Sequence, residues 1–348
     1  MRFPRFLLLL VNAALLFVLG RFLVFELPKE GSRQLVDEIA REAGAVLEQL
    51  AEDAADMVAT PTLTPVPSPT PQRDTQSAYS TIDRPDDVEG FQVHFIYAIP
   101  SDELDRMMDL SGQIELSANA ANHWLQTQTD GIRLRYDTYE EALDITFMRL
   151  PYTADELNDL GNFIVDGFDQ LLRDYGFDTS RKIYVVYYDG LFVLPPDNLA
   201  CGQATLPPQS WGLTATIYLR GYAPEYDAIS CPALTRTADY AGWLELVLLH
   251  ELFHLLGAVP ECAPNSDGAH VSDSSYDLMS PAFNTNAAPS NVLDANNDDY
   301  FNHENADCPD LADSAFLDPL PAAAELPPAW EYSIGPRSFN PFDMLESQ

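Results

Sequence analysis

The sequence predicts an α/β (α+β) domain in which strands and helices mix, followed by a loop-rich C-terminal part. Three observations carry that reading. Residues 91–99 (FQVHFIYAI) and 182–188 (KIYVVYY) are apolar runs of strand length. Residues 154–175 set Leu157, Leu160, Ile164, Phe168 and Leu171 at three- and four-residue steps, the stripe of an amphipathic helix. Residues 243–257 (WLELVLLHELFHLLG) are apolar almost all round, so a helix over 242–256 must be buried.

The elements follow in order. Arg2 and Arg5 precede FLLLLVNAALLFVLG at 6–20, and FLVF follows Arg21. Residues 1–28 therefore read as a signal peptide or signal anchor, and either sends the rest of the chain out of the cytoplasm, to the cell surface or beyond. Over 29–59, Leu35, Ile39, Val46 and Leu50 recur at near-helical spacing between acidic residues, an amphipathic stalk helix with a stripe for self-association. Residues 60–72 (TPTLTPVPSPTPQ) hold five prolines and form an extended spacer, and the acidic residues 73–90 continue the linker.

The folded domain is expected over 91–348, starting with the strand 91–99. Residues 102–129 are mostly helical, capped by Ser101 or Asp102. Strands follow at 131–136 and 143–150, and the helix 154–175 stops at Gly176. After the strand 182–188, the alternation in LTATIYL (213–219) predicts an edge strand. Beyond the helix 242–256, loops rich in Asn, Asp, Ser and Pro run to the C-terminus.

The 348 residues carry 18 Lys and Arg against 54 Asp and Glu, a net charge of −36. Such a surface repels phosphate backbones and anionic membranes, which excludes nucleic-acid partners and leaves membrane contact to the N-terminal segment. Aromatic residues make up 11% of the chain, too many for disorder throughout.

His250, Glu251 and His254 lie on the buried helix, where ionisable side chains are costly unless paired or metal-bound. Residues four apart share one helix face, so His250 and His254 can reach one Zn²⁺. Glu251, beside the first histidine, can take a proton from water without being a ligand. A hydrolytic zinc site needs a third protein ligand and an open position. Residues 262–303 contain no Glu, which excludes a glutamate from that later segment as the third ligand.

His250, Glu251, His254 and Gly257 match H-E-x-x-H-x-x-G, and YDLMSP at 276–281 looks like a Met-turn. Together they resemble the metzincin metallopeptidases. The resemblance covers about 91–281, and it implies a mixed twisted sheet with two long helices leading into the active-site helix. It further implies Met279 beneath the metal and Glu251 as general base. It breaks at Pro260, where the family places its third ligand, and Ser280 and Pro281 stand where some relatives carry a helper tyrosine. His270 is the expected displaced third ligand, since the intervening loop can turn at Pro and Gly. Asp273 is the alternative, Glu261 comes after it, and the distant His303 is last.

The expected activity is that of an exported zinc metalloendopeptidase acting on a peptide or protein substrate. The strand 213–219 would hold that substrate by β-addition. The alternatives are a stalked surface module that binds zinc without turnover and an amidase of cell-wall peptides. Cys201, Cys231, Cys262 and Cys308 form an even set with three possible pairings, and proximity favours Cys201–Cys231 and Cys262–Cys308. DANNDD at 294–299 alternates as Ca²⁺ loops do but lacks their Gly and Glu, so a solvated acidic turn is the preferred reading and a calcium site the alternative. His94 and His123 read as structural.

Overall fold

A computed structural model describes residues 80–177, 180–194, 200–206, 212–224, 228–229, 231–281, 290–328, 330–335 and 339–345. The chain divides into two units, 1–72 and 73–348, and the described residues all belong to the second. The N-terminal segment 1–28, the stalk 29–59 and the proline-rich spacer lie outside the described residues. Among the described residues no helix is long and apolar enough to cross a membrane.

The strands are β1 (Gln92–Ile99), β2 (Arg133–Leu134), β3 (Thr138–Tyr139), β4 (Ala142–Leu143), β5 (Ile145–Arg149), β6 (Lys182–Tyr188), β7 (Phe192–Val193), β8 (Gly202–Ala204), β9 (Thr214–Tyr218), β10 (Gly221–Ala223), β11 (Ala228–Ile229), β12 (Ser266–Asp267), β13 (His270–Val271) and β14 (Leu317–Asp318). The helices are α1 (Gln113–Gln128), α2 (Ala154–Asn158), α3 (Ile164–Asp174), α4 (Trp243–Leu255) and the short α5 (Trp330–Ser333). The fold is mixed α/β, as the sequence predicts. Its main sheet has five strands in the order β5-β1-β6-β9-β8. The first four run parallel, and β8 pairs antiparallel with β9 at the edge.

Central parallel strands are covered on both faces, which is why β1 and β6 are apolar runs and every residue in them is buried. Helix α4 lies against β8 and β9, with α1 packed on α4 and α3 on β9. Residues 244–255 of α4 are all buried. Glu245 closes its N-terminus: its carboxylate accepts the Gly242 N–H at 2.9 Å, the Thr235 N–H at 3.0 Å and the Ser117 hydroxyl at 2.6 Å.

Four expectations are corrected. The helix expected over 102–129 starts only at Gln113. Its proposed first turn is spent elsewhere, because the Asp102 carboxylate accepts the Ala154 N–H and the Asp105 carboxylate accepts the Met107 N–H in a local turn. The single helix 154–175 is two, α2 and α3, joined through a 3-10 turn at Gly161–Phe163. Gly161 sits at φ 53°, a left-handed conformation that interrupts a helix. The strand at 213–219 is not an edge; as β9 it is enclosed by β6 and β8. Finally, residues 80–90 are not linker. Ser80 bridges to Thr146, the Arg84 guanidinium pairs with Asp144 at 2.6 Å, and Lys182 reaches Asp83 and Asp86 at 2.6 and 2.7 Å. Acidic side chains that look solvated in sequence are neutralised by distant cations.

Candidate metal centre

Helix α4 presents His250 and His254 from consecutive turns, and both are buried. Their Nε2 atoms lie 3.1 Å apart. Gly257, at φ 80°, ends the helix: its N–H donates to the His254 carbonyl oxygen and the next N–H to that of Phe253. A Cβ at Gly257 would also meet the Pro328 ring at 2.5 Å.

The chain then returns. The Cys262–Cys308 disulfide, with Cα atoms 5.7 Å apart, closes the loop that follows α4. Strands β12 and β13 form a hairpin that pairs Asp267 with His270. The Val271 N–H donates to the Met279 carbonyl oxygen, which ties this hairpin to the 276–281 turn. His270 thereby stands beside the helix, its ring 5.2 Å from that of His250 and 4.8 Å from that of His254. The three imidazoles offer ligand nitrogens that all lie within 4.8 Å of one another.

The 276–281 turn supports them from below. The Leu278 carbonyl oxygen faces His250 Nδ1 at 2.7 Å. A carbonyl only accepts, so Nδ1 carries the proton and Nε2 keeps its lone pair for a ligand. Met279 is fully buried, and Asp277 fixes the turn by accepting the Met279 and Ala295 N–H groups, each at 2.7 Å, and the Tyr300 hydroxyl at 2.9 Å. Asp277 was not singled out in the sequence; its place two residues before Met279 in YDLMSP is the only signal for it.

The donor set fits zinc. Burial drives all three imidazoles toward the neutral form that binds metal: His250 is pushed down to about 4, His254 lies well below the usual histidine value, and His270 is lowered. Two nitrogens about 2.0–2.1 Å from one tetrahedral zinc are about 3.3 Å apart, close to the separation of the two Nε2 atoms. Among the described residues the buried His254 Nδ1 atom has no hydrogen-bond partner. Glu251 is also buried, and burial alone pushes its carboxyl up to about 8.

The other candidates fall elsewhere. Asp273 is exposed and lies with Asp298 and Asp299, whose carboxylate oxygens come within 4.8 Å of its own, rather than with the imidazoles. Glu261 is exposed, and His303 turns its Nε2 to the Pro309 carbonyl oxygen at 3.1 Å. In the 294–299 turn the Asp294 carboxylate folds inward to accept the N–H groups of Asp299, Tyr300 and Phe301, and Asp299 accepts from Asn265. His94 is buried against Asp137 and Thr146, whereas His123 is exposed. Cys201 and Cys231 form the second disulfide, so both favoured pairings are present.

Sequence reasoning missed β8 and its Gly202. A three-residue strand, Gly-Gln-Ala, has no periodicity to read, yet it is the outer strand beside Glu251.

No family model matches the chain, and no curated protein matches it. Among solved structures, 65% of the chain is similar to 68% of wild-type OgpA from Akkermansia muciniphila, at 14% identity and a TM-score of 0.29. A catalytically inactive OgpA, solved with an O-glycopeptide (glycodrosocin) substrate, is similar over 60% of this chain and 59% of its own, at 13% identity and a TM-score of 0.26.

Proposed function

We propose that this chain is an exported zinc-dependent peptidase in which His250, His254 and His270 hold the metal and Glu251 is the general base. One observation carries the reading: two buried imidazoles and one half-buried imidazole, from two separate elements, converge beside a buried carboxyl group that has no cation partner among the described residues. Zinc, when bound, supplies Lewis acidity toward water and toward a carbonyl oxygen. Glu251, in its ionised form, accepts a proton from water as it attacks the scissile carbon. It then returns that proton to the leaving amine nitrogen, and no covalent bond to the protein forms. Among the described residues β8 is the outer strand of the sheet, the place where an extended peptide would join it.

Export is supported by the two disulfides, which belong to an oxidising compartment, and by the N-terminal signal read from the sequence. The metzincin resemblance supports the same assignment of Glu251 and of the turn around Met279.

The test is cleavage of a broad peptide library by the full chain and by Glu251→Gln. The expected outcome is cleavage by the wild type and a rate about 10²–10⁴-fold lower in the variant, with zinc retained in both. Zinc binding without any cleavage would favour a binding module instead. Equal rates in the two proteins would remove Glu251 from the mechanism.

A further inference from the structure

The Glu251 carboxylate has no hydrogen bond or ion pair among the described residues. Its orientation is set by packing. On one side stands β8, whose first residue, Gly202, is buried. A Cβ placed on Gly202 would lie 2.6 Å from Val247 Cγ1, 2.8 Å from Glu251 Cγ and 3.1 Å from Glu251 Oε1. Two of those distances are below any real contact, so the bare main chain of β8 is a wall against the stem of Glu251. Gly202 is not in the left-handed region, so space alone demands glycine there.

The wall is itself held. The Cys201–Cys231 disulfide precedes Gly202 directly, with both cysteines buried. The Tyr218 N–H donates to the Cys201 carbonyl oxygen at 2.8 Å, and the Tyr218 hydroxyl donates to Gln203 Oε1 at 2.6 Å. The bridge needs room of its own, since a Cβ on Gly221 would collide with Cys231 Sγ. Close contacts therefore run without a gap from Gly221 through the disulfide and Gly202 to Glu251.

We propose that Gly202, kept in place by the Cys201–Cys231 bridge, is a positioning residue for Glu251. The candidate donor set is His250, His254 and His270, and neither Gly202 nor the bridged cysteines belong to it, so this role separates turnover from metal binding. The inference rests on the reading of Glu251 as the base.

The experiment uses the full chain with Gly202→Ala, Gly202→Ala/Val247→Ala and Cys201→Ser/Cys231→Ser. The double variant removes the closest collision, that with Val247, and keeps the one with Glu251, so it guards against a folding defect. For it we expect kcat to fall about 100-fold with KM unchanged, the size expected for a misplacement of about 1 Å. Zinc stays at one per chain, and a crystal structure shows the Glu251 carboxylate displaced. The cysteine variant lowers kcat by less and also keeps its zinc. Unchanged kcat in the double variant, loss of zinc together with activity, or a Glu251 side chain that has not moved would overturn the proposal. If wild type and Glu251→Gln prove equally inactive, the peptidase reading fails, and the crystal structure alone still decides whether Gly202 positions Glu251.

Discussion

At the start of β6, the Lys182 ammonium is almost fully buried and sits 2.6–2.7 Å from the carboxylates of Asp83, Asp86 and Asp137. His94 beside it faces Asp137 at 2.6 Å and Thr146 at 2.9 Å, and Arg84 pairs with Asp144. On α4, by contrast, imidazoles face imidazoles, and Glu251 has no cation partner among the described residues. Both regions bury ionisable groups. In the first, an amine fills the centre of an oxygen-rich set that would otherwise suit a cation. In the second, three imidazoles offer ligand nitrogens within 4.8 Å of one another. Burying ionisable groups costs several kcal/mol; in the first cluster the amine offsets that cost, and in the second a bound metal would.

The sharpest break in that comparison comes from metal binding. His254→Ala should abolish zinc binding and activity together, whereas Lys182→Met should leave one zinc per chain. Metal analysis of both purified variants checks this, and zinc loss in Lys182→Met would mean the two regions are not independent.

Stability should move the other way. Lys182→Met strips the shared cation from three carboxylates, one of them fully buried, and should cost about 3 kcal/mol in urea unfolding, a value typical of breaking a buried ion pair. His254→Ala in the metal-free chain should cost less. A midpoint unchanged by Lys182→Met would contradict a cluster held by charge pairing.

A smaller effect separates the regions by pH. Burial works against the Asp137 charge, but the hydrogen bonds from His94 and Lys182 outweigh it and hold its carboxyl below the usual 3.8. A lowered carboxylate contributes stability that is present above 3.8 and is lost as pH falls through the folded value. Asp137→Asn should therefore lose less stability than the wild type on acidification below pH about 4. Identical acid profiles would sink this assignment.

The smallest effect sharpens the choice of third ligand. Asp273 is exposed and away from the imidazoles, so Asp273→Ala should leave zinc content unchanged and shift stability by no more than about 0.5 kcal/mol. His270→Ala should weaken zinc binding at least tenfold. The reverse pattern in a competition titration would exchange their roles.

The sequence makes legible what has a period or a spacing. β1, β6 and α4 are continuous apolar runs because they are buried on all sides, and His250 and His254 are four apart because one turn separates them. His270 is readable as a histidine that the loop returns to the helix, and the disulfide pairs as the nearest neighbours. What is hidden depends on residues far apart. The strap at 80–90 looks like solvated linker because its cation, Lys182, lies 99 positions after Asp83. β8 is too short for a pattern, and its importance rests on the space a missing side chain leaves for Glu251. The late start of α1 follows from where Asp102 and Asp105 spend their carboxylates, which no helix propensity records.

The central claim is that α4 and the His270 hairpin form a metal centre. Its most direct test is the zinc content of the full-length wild-type chain after reconstitution and extensive dialysis, measured by elemental analysis against protein concentration. The account predicts one zinc per chain, released only by a strong chelator. A chain that retains no zinc would contradict it, and would return His250, His254 and His270 to side chains that pack against one another in the core.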